Sequence, residues 1–382
     1  MRKTVYTLMS VLAFASTTSY TYGQDFSFSL LSSVAREDNA NVIFLSPESV
    51  SVALAMTANG ANGITREEIL KTTGTGNTDM KSVNKFYRNE LEHLCQEREG
   101  ITLDIANSIW ISDRWKMKKP TAKTIQKNYG ASVSSLDFGS PSSVSVINGW
   151  CAANTEGRIE EIIDNISPAD MMYLINAIYF KGLWSEPFSP SSSATGIFHG
   201  TSNDSETRFM YRKGNYRFFN DRNVSVLELT YGDGSMAMDI ILPAEGSDIM
   251  QFADQFSSIE YRKILGNMET TEVKVRIPAF KAEYETNLNT VLKAMGMKTA
   301  FTSAADFSNF SRIPLEVSKV IHKTFIEVNE EGSEAAAVTA VGIMRTSLGP
   351  EPPAFTADRP FIFTIRDTES GAILFCGMVR NL

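Results

Sequence analysis

The sequence predicts one α+β domain with a large core, and two observations carry this prediction. The chain has 382 residues, of which 43% are hydrophobic and 21% charged, an ordinary globular composition. Segments with the periodicity of strands alternate with segments of helical periodicity, and no composition break or internal repeat separates two domains.

The predicted strands differ in how they are buried. Apolar residues alternate over 101–111 and 273–277, as in strands with one buried face. The segment 171–180 is continuously apolar except for one Asn, which is typical of a central strand. Segments 361–366 and 373–379 predict a C-terminal hairpin across Ser370 and Gly371.

The predicted helices begin at recognisable caps. Ser46 followed by Pro47 starts a helix over 48–58 that is apolar on almost every side and therefore buried. Thr65 and Glu68 fit a capping box, with Gly74 ending that helix. Helical spacing also predicts helices over 80–94 and 286–297.

Two serine-rich stretches, near Ser142 and Ser191, are expected to be surface loops. The three cysteines, Cys95, Cys151 and Cys376, cannot form a disulfide framework and are expected to be buried free thiols.

The charge balance argues against a nucleic-acid partner. The formal net charge is −8 and the pI about 5.2, so the surface repels phosphate backbones. One stretch has no acidic residue. We interpret it as a solvated basic face, and a polyanion site is the alternative; its basic residues are Arg114, Lys116, Lys118, Lys119, Lys123 and Lys127.

The N-terminus has the pattern of a secretion signal. Arg2 and Lys3 precede a short apolar run, and small residues follow at spacing that permits cleavage. We expect a signal peptide over 1–23 and a mature domain over 24–382, with a start at Ser16 as the alternative. The apolar run is too short to span a bilayer and no later run is long enough, so no membrane association is expected.

Motifs of catalysis are missing from the sequence. It contains no Gly-x-Ser-x-Gly, His-Glu-x-x-His or Gly-x-x-x-x-Gly-Lys pattern, so we expect neither an enzyme nor a metal site or cofactor. The histidines number three. His322 shares the apolar face of a predicted strand with Val320 and Ile326, which indicates a hydrogen-bonded core residue rather than a catalytic one.

The unusual segment is 330–353, which connects two predicted strands. Connections of this length are uncommon and are usually functional or disordered. Yet residues 335–344 carry no charge and are mostly small, unlike a disordered linker. If the segment extends as a strand, one face carries only small side chains that a crowded core can accept: Ser333, Ala335, Ala337 and Thr339. A flexible alanine-rich connector is the alternative.

The chain resembles a serpin along nearly its whole mature length. The resemblance rests on specific segments: Phe44-Leu-Ser-Pro-Glu-Ser49, Leu174-Ile-Asn-Ala-Ile-Tyr-Phe-Lys-Gly-Leu-Trp184, Ile321-His-Lys-Thr-Phe-Ile-Glu-Val-Asn-Glu-Glu-Gly332, Arg359-Pro-Phe-Ile-Phe363 and Phe375-Cys-Gly-Met-Val379. It implies the serpin fold: a large mixed β-sheet, further sheets, surrounding helices and an exposed reactive-centre loop.

The same resemblance implies roles for single residues. Ser46, Ser49, Asn176 and His322 correspond to the shutter, a polar cluster beneath the central strands. Trp184 and Glu330 correspond to the breach, where the loop enters the sheet. The residues that follow Glu330 match an inhibitory hinge without bulky residues or Pro: Gly332, Ser333, Glu334, Ala335, Ala336, Ala337 and Val338.

The family pattern also places the bond that a protease cuts. Counting along it from Glu330 reaches Thr346–Ser347, with Arg345–Thr346 as the alternative. The resemblance implies a suicide-substrate inhibitor that forms covalent complexes with serine proteases. With the N-terminal signal, we expect a secreted monomer that is extracellular or, in a bacterium, periplasmic. A non-inhibitory serpin acting as a binding or carrier protein is the alternative function.

Overall fold

The computed structural model describes residues 24–382 except 77, 116 and 334–350. Within these residues the helices are α1 (Gln24–Glu37), α2 (Pro47–Gly60), α3 (Gly63–Thr72), α4 (Met80–Leu94), α5 (Lys119–Tyr129), α6 (Ser142–Ala153), α7 (Ile249–Gln255), α8 (Ser258–Asn267) and α9 (Asn289–Ala294). The signal-peptide prediction falls on 1–23, outside the described residues.

The strands belong to two sheets. In chain order they are β1 (Val42–Leu45), β2 (Ile101–Ser112), β3 (Ser132–Leu136), β4 (Met172–Leu183), β5 (Ala194–His199), β6 (Asp204–Asn220), β7 (Val224–Tyr231), β8 (Met236–Pro243), β9 (Glu269–Pro278), β10 (Phe280–Asn287), β11 (Lys319–Val328), β12 (Gly332–Ser333), β13 (Ala354–Thr356), β14 (Phe361–Asp367) and β15 (Ile373–Val379).

The sheet that matters for function has the order β10-β11-β12-β4-β2-β3, and we call it the main sheet. It is mixed: β4 runs antiparallel to β2 but parallel to β11. The second sheet has the order β1-β15-β14-β8-β7-β6-β9-β13, with β5 paired to β6. The C-terminal hairpin predicted from the sequence is present as β14 and β15.

Both faces of the main sheet are covered. On one face, Ile178 and Phe180 of β4 belong to the large core that also contains α2. On the other face, Tyr173 and Ala177 pack in a smaller core with α6 and the segment that follows it. The continuous apolar pattern of β4 therefore has the expected cause, burial on both sides.

The N-terminal cap of α2 is the one that the sequence predicts. Ser46 has an extended backbone and its hydroxyl accepts a hydrogen bond from the Ser49 backbone N–H at 3.3 Å. Every residue of α2 except Asn59 is buried, so the first turn is fixed directly beneath the main sheet.

Several local predictions were wrong. The capping box fails because α3 starts at Gly63, three residues before the start that a cap at Thr65 would give. The Thr65 hydroxyl instead accepts from the Asp306 N–H, and Glu68 accepts from the N–H groups of Lys298 and Thr299. These tertiary bonds replace the local ones.

The predicted 286–297 helix is shorter than its pattern, because its first residues extend β10 and pair with β11. Ser142 begins α6, so the stretch near it is not a surface loop, whereas Ser191 lies in an exposed 3₁₀ turn of the connection between β4 and β5, as expected. Cys151 and Cys376 are buried as expected, whereas Cys95 is exposed at the end of α4.

Candidate functional site

The start of the predicted reactive-centre loop, which we call the bait loop, is already part of the main sheet. Gly332 and Ser333 form β12, which lies between β4 and β11. Gly332 pairs with Leu183 and Ser333 with Gly182 on one side, and Ser333 pairs with Val328 on the other. The remaining hinge residues, 334–338, and the candidate scissile bonds at 345–347 lie outside the described residues.

Only a glycine fits at the first position of β12. A Cβ atom on Gly332 would lie 2.0 Å from the carbonyl oxygen of Gly182, a backbone atom that cannot move aside. The chain reaches this point through a turn in which the Asn329 N–H donates to the Gly332 carbonyl at 2.9 Å. The glycine of the hinge motif is therefore a condition for entry into the sheet.

Ser333 points into the core and is fully buried. Its hydroxyl lies 2.7 Å from the hydroxyl of Tyr231, which is itself fully buried at the end of β7. Burial keeps the pKa of Tyr231 well above its ordinary value, so both groups are neutral. Sequence reasoning missed Tyr231, since nothing in its local pattern distinguishes it from other strand aromatics.

Trp184 fixes the turn before this strand. Its ring stacks on Tyr231 with a centroid distance of 4.4 Å and an interplanar angle of 13°. Its indole N–H donates to the carbonyl of Asn329 at 2.9 Å, and its backbone N–H donates to the carbonyl of Glu331 at 2.8 Å. The structure thus brings Trp184 against Asn329 and Glu331, the residues that lead into β12.

Glu330 is held by Arg208 of β6. The guanidinium lies 2.7 Å from the Glu330 carboxylate, and the Glu330 carbonyl accepts from the Phe188 N–H at 2.7 Å. Burial acts to raise the pKa of Glu330, but its neighbours, Arg208 among them, outweigh that effect and hold the pKa below the ordinary value. Glu330 is therefore an ionised anchor, and Arg208 is a partner that the sequence did not reveal.

The four shutter residues form one hydrogen-bonded cluster, all of them buried. The Ser46 backbone N–H donates to His322 Nε2 at 2.9 Å, so that nitrogen is unprotonated and Nδ1–H donates to Asn176 Oδ1 at 3.0 Å. The Asn176 amide in turn donates to the Ser49 hydroxyl. The cluster joins β4, β11 and the first turn of α2.

His322 is neutral in this cluster because burial lowers its pKa to about 3. This agrees with the expectation of a hydrogen-bonded core histidine. Asn107 of β2 is a further member, since it accepts from the Asn176 amide at 2.7 Å. The sequence carried a signal for Asn107. Apolar residues occupy every second position of this strand, and Asn107 stands at one of those positions.

Below the breach, β4 and β11 are paired directly. Lys319–Lys323 forms a parallel ladder with Tyr173–Ala177, and His322 lies opposite Asn176 in it. Above this ladder, each strand pairs with β12 instead. In the main sheet, β4 and β11 therefore pair with each other at the shutter and are separated by β12 at the breach.

The loop returns to the second sheet at its other end. Ala354–Thr356 pairs in parallel with β9, and the Pro353 carbonyl accepts from the Lys274 N–H at 2.9 Å. Within the described residues there is no cluster of His, Cys, Asp or Glu suited to a metal ion, and no helix there is long and apolar enough to cross a membrane.

These features define a class of protein: an α+β chain whose mixed main sheet opens at one end around the first residues of its own connecting loop. Comparison with known proteins specifies the class. The family model described as "Serpin (serine protease inhibitor)" matches residues 21–382. The chain is 34% identical over 348 residues to Iripin-2 of Ixodes ricinus, covering 89% of this chain and 88% of that protein.

Solved structures agree in fold. The native thermophilic serpin tengpin superimposes with a TM-score of 0.90 at 31% identity, covering 97% of this chain and 96% of that one. Thyroxine-binding globulin in complex with thyroxine gives a TM-score of 0.86 at 28% identity, covering 95% and 98%. The chain belongs to the serpin family of serine protease inhibitors, and the predicted fold is confirmed.

Proposed function

We propose that this serpin is a suicide-substrate inhibitor of serine endopeptidases and is not itself an enzyme. The observation that carries the proposal is the position of Ser333, buried between β4 and β11 as the second residue of β12, a strand whose continuation is the bait loop. A sheet that already holds the start of the loop can accept more of it.

The register of β12 tells where each further residue would enter. Continuing the pairings of Ser333 places Glu334 beside Lys181 and Ala337 beside Ile178. These positions lie above the β4–β11 ladder, so the first four residues after Ser333 meet no strand pairing across the gap in the described part of the chain. Val338 is the first residue whose insertion must break a pair, that of Ala177 with Lys323.

The loop side chains are small enough for the positions that they would occupy in the main sheet. Residues two apart on a strand share a face. Ala335 and Ala337 therefore follow Ser333 into the core, beside the buried Phe180 and Ile178. Ordering about ten residues in the sheet at ~0.5–1.5 kcal/mol per backbone hydrogen bond stabilises the inserted form by ~10 kcal/mol. That is comparable to the whole stability of a typical domain.

Insertion also requires the shutter to separate. Thr339 would arrive at the level of His322 and Asn176, which face each other across the ladder. On the outer face, Ile159, Ile162 and Ile163 pack over these strands, and Lys323 Nζ donates to the Glu161 carbonyl at 2.8 Å. Insertion must therefore disrupt both the β4–β11 pairing and the packing on the outer face of these strands. Because this disruption is slow, the native state is kinetically trapped until cleavage releases the loop.

Cleavage supplies the covalent tether. The protease serine Oγ attacks the carbonyl carbon of the residue before the scissile bond, the C–N bond breaks, and the new amine leaves with the proton. The loop residue is then held to the protease as an ester. Insertion moves the tethered protease and distorts its active site before water hydrolyses the ester. Elastase-like and subtilisin-like enzymes are the first proposed class of target, and trypsin-like enzymes are the second.

The proposal is tested by mixing the protein with a panel of serine proteases and separating the products in boiling detergent. We expect a covalent band at the summed mass for at least one protease and a C-terminal fragment that begins at Ser347 or Thr346. The same protease with its catalytic serine blocked is the control and should give no band. Cleavage of the loop by every protease, with full retention of protease activity, would contradict the proposal.

A binding or carrier role is the second candidate, and the likeness to thyroxine-binding globulin is the observation behind it. The two functions separate on heating. Loop insertion after cleavage should raise the melting temperature greatly, whereas a carrier whose loop stays out should melt at nearly the same temperature before and after cleavage. The small hinge residues after Gly332 favour the inhibitor.

Export belongs to the same proposal. The leader over 1–23 would be removed to leave a single secreted domain over 24–382, acting as a monomer without nucleic-acid or membrane partners. Gln24 is the first residue of α1, so a cut before it leaves that helix whole. N-terminal sequencing of protein from the medium should read from Gln24, or from Ser16 for the alternative site; an intact Met1 there would contradict export.

A further inference from the structure

A carboxyl group is buried inside the turn that carries the shutter. Glu48 lies between Ser46 and Ser49 on the first turn of α2 and is only 9% exposed. Its Oε1 has no hydrogen-bond partner in the described part of the chain. A buried, unsatisfied carboxyl is costly, and an ionised one more so.

In the described part of the chain, the ionisable groups that face Glu48 are an acid and a tyrosine. From α4 it meets Glu90 and Tyr87. Glu90 in turn lies near His93 and near Asp367, at the end of β14. Asp367 binds the two basic side chains of this neighbourhood, Arg98 at 2.9 Å and His93 at 3.2 Å.

Burial, and secondarily Glu90, raise the pKa of Glu48 to about 8. Burial is also the main cause that raises the pKa of Glu90, and Asp367 adds to it. At neutral pH the native protein therefore holds a proton on Glu48 that an exposed carboxyl would release.

We propose that Glu48 is a proton-release switch for the shutter: separation of the first turn of α2 from α4 and the main sheet exposes Glu48 to water and frees its proton, so the shutter opens more readily as the pH rises. The coupling is direct, because Ser46 and Ser49 share that helical turn with Glu48 and contact His322 and Asn176. The effect on loop insertion rests on the proposed function, whereas the opening itself does not.

The sign follows from two titrating groups, Glu48 on this turn and His322 of β11, which the turn contacts. Glu48 has a native pKa above its ordinary value of 4.5, so opening releases a proton between 4.5 and about 8 and is favoured by rising pH there. His322 has a native pKa below its ordinary value of 6.5, so opening takes up a proton below 6.5 and is favoured by falling pH there. Between 4.5 and 6.5 the two oppose each other, and above 6.5 His322 no longer contributes.

The experiment is hydrogen exchange on the intact protein, read by mass spectrometry on the peptide over 44–56 and corrected for intrinsic exchange rates. Wild type should open up to about tenfold more per pH unit from 6.5 to 8 and level off above 8. Glu48→Gln should show no rise over this range. Glu92→Gln, an exposed residue of α4, should behave as wild type.

Glu90→Gln provides a second, independent variant. It removes the neighbouring carboxylate, which helps to raise the pKa of Glu48. The rise of exchange with pH should therefore persist but level off at a lower pH. A wild type that does not change with pH, or a rise that survives in Glu48→Gln, would overturn the proposal. Exchange requires no protease, so this outcome is independent of whether the protein forms covalent complexes.

Discussion

The hydroxyl groups of Tyr231 and Ser333 lie 2.7 Å apart in the core, although 102 positions separate them in the sequence. Tyr231 belongs to the second sheet and Ser333 to the main sheet, so this hydrogen bond ties the start of the loop to the second sheet. Trp184, stacked on the same tyrosine ring, supports it from the side.

Removal of this hydrogen bond should loosen the loop entrance. We expect Tyr231→Phe to lower the free energy of unfolding by about 1–2 kcal/mol, since the Ser333 hydroxyl is left buried without a partner. Ser333→Ala should cost a similar amount, and the double variant should cost less than the sum of the two. Urea unfolding measures all three. Tyr211→Phe, a partly exposed tyrosine of β6, is the control and should change little; strictly additive effects would mean that the two hydroxyls do not interact.

The direction in which each hinge side chain would point after insertion predicts which substitutions block inhibition. Ala337→Glu should turn the inhibitor into a substrate, because its side chain would enter the core beside Ile178 and an unpaired buried carboxylate costs several kcal/mol. Glu334→Ala, on the opposite face, should have much less effect. The measurement is the number of inhibitor molecules consumed per protease molecule trapped. Equal loss of inhibition in both variants would show that the assignment of residues 334 and 337 to opposite faces is wrong.

His322 should make the shutter sensitive to acid. Its native pKa of about 3 lies below the ordinary value of 6.5, so its contribution to stability is complete above 6.5 and is lost as the pH falls toward 3. His322→Gln keeps a donor and an acceptor but does not titrate. The difference in unfolding free energy between wild type and this variant should shrink by about 1.4 kcal/mol per pH unit below 6.5. Because Glu48 is present in both proteins, its opposing pH dependence cancels in this difference between their unfolding free energies.

His199→Gln is the matched control for that experiment. Its side chain is 59% exposed and lies outside the shutter, so this substitution leaves the buried cluster unchanged. A constant difference between wild type and His322→Gln from pH 7 to 4.5 would contradict the predicted burial of a neutral imidazole.

Patterns tied to burial predicted the fold well. The continuous apolar run of β4, the cap of α2 and the C-terminal hairpin are all where the sequence places them. Each depends on local periodicity or on a cap whose partner lies within one turn. The failures have the opposite character: Thr65 and Glu68 fit a local motif, but residues more than two hundred positions away bind their side chains.

The candidate site divides in the same way. The resemblance pointed to Ser46, Asn176 and His322, and the structure brings them together. Tyr231, Arg208 and Glu48 were not predicted, because their importance depends on what lies opposite them across two sheets and a helix. A glutamate after a helix-capping Ser-Pro pair reads as an ordinary first-turn acid, which is favoured at an exposed N-terminus. Only the tertiary packing shows that this one is buried.

The scissile bond is the last prediction, and it falls on residues 345–347, outside the described part of the chain. The family pattern counted from Glu330 reaches Thr346, whose small β-branched side chain suits the shallow pockets of elastase-like and subtilisin-like enzymes. Arg345 precedes it, and a guanidinium is what an acidic trypsin-like pocket selects. Cleavage after Arg345 shortens the tether by one residue, about 3.3 Å of strand, which need not prevent trapping.

One loop could therefore inhibit two classes of protease, and a single substitution separates them. Arg345→Ala should abolish inhibition of trypsin and leave inhibition of elastase largely intact, because only trypsin requires the cation. Thr346→Arg is the complementary variant and should restore trypsin inhibition in the Arg345→Ala background, with cleavage moved to the bond before Ser347. Second-order inhibition rates and the mass of the released C-terminal fragment report both results. If Arg345→Ala abolished inhibition of both enzymes, Arg345 alone would be the bait and the count from Glu330 would be one residue too long.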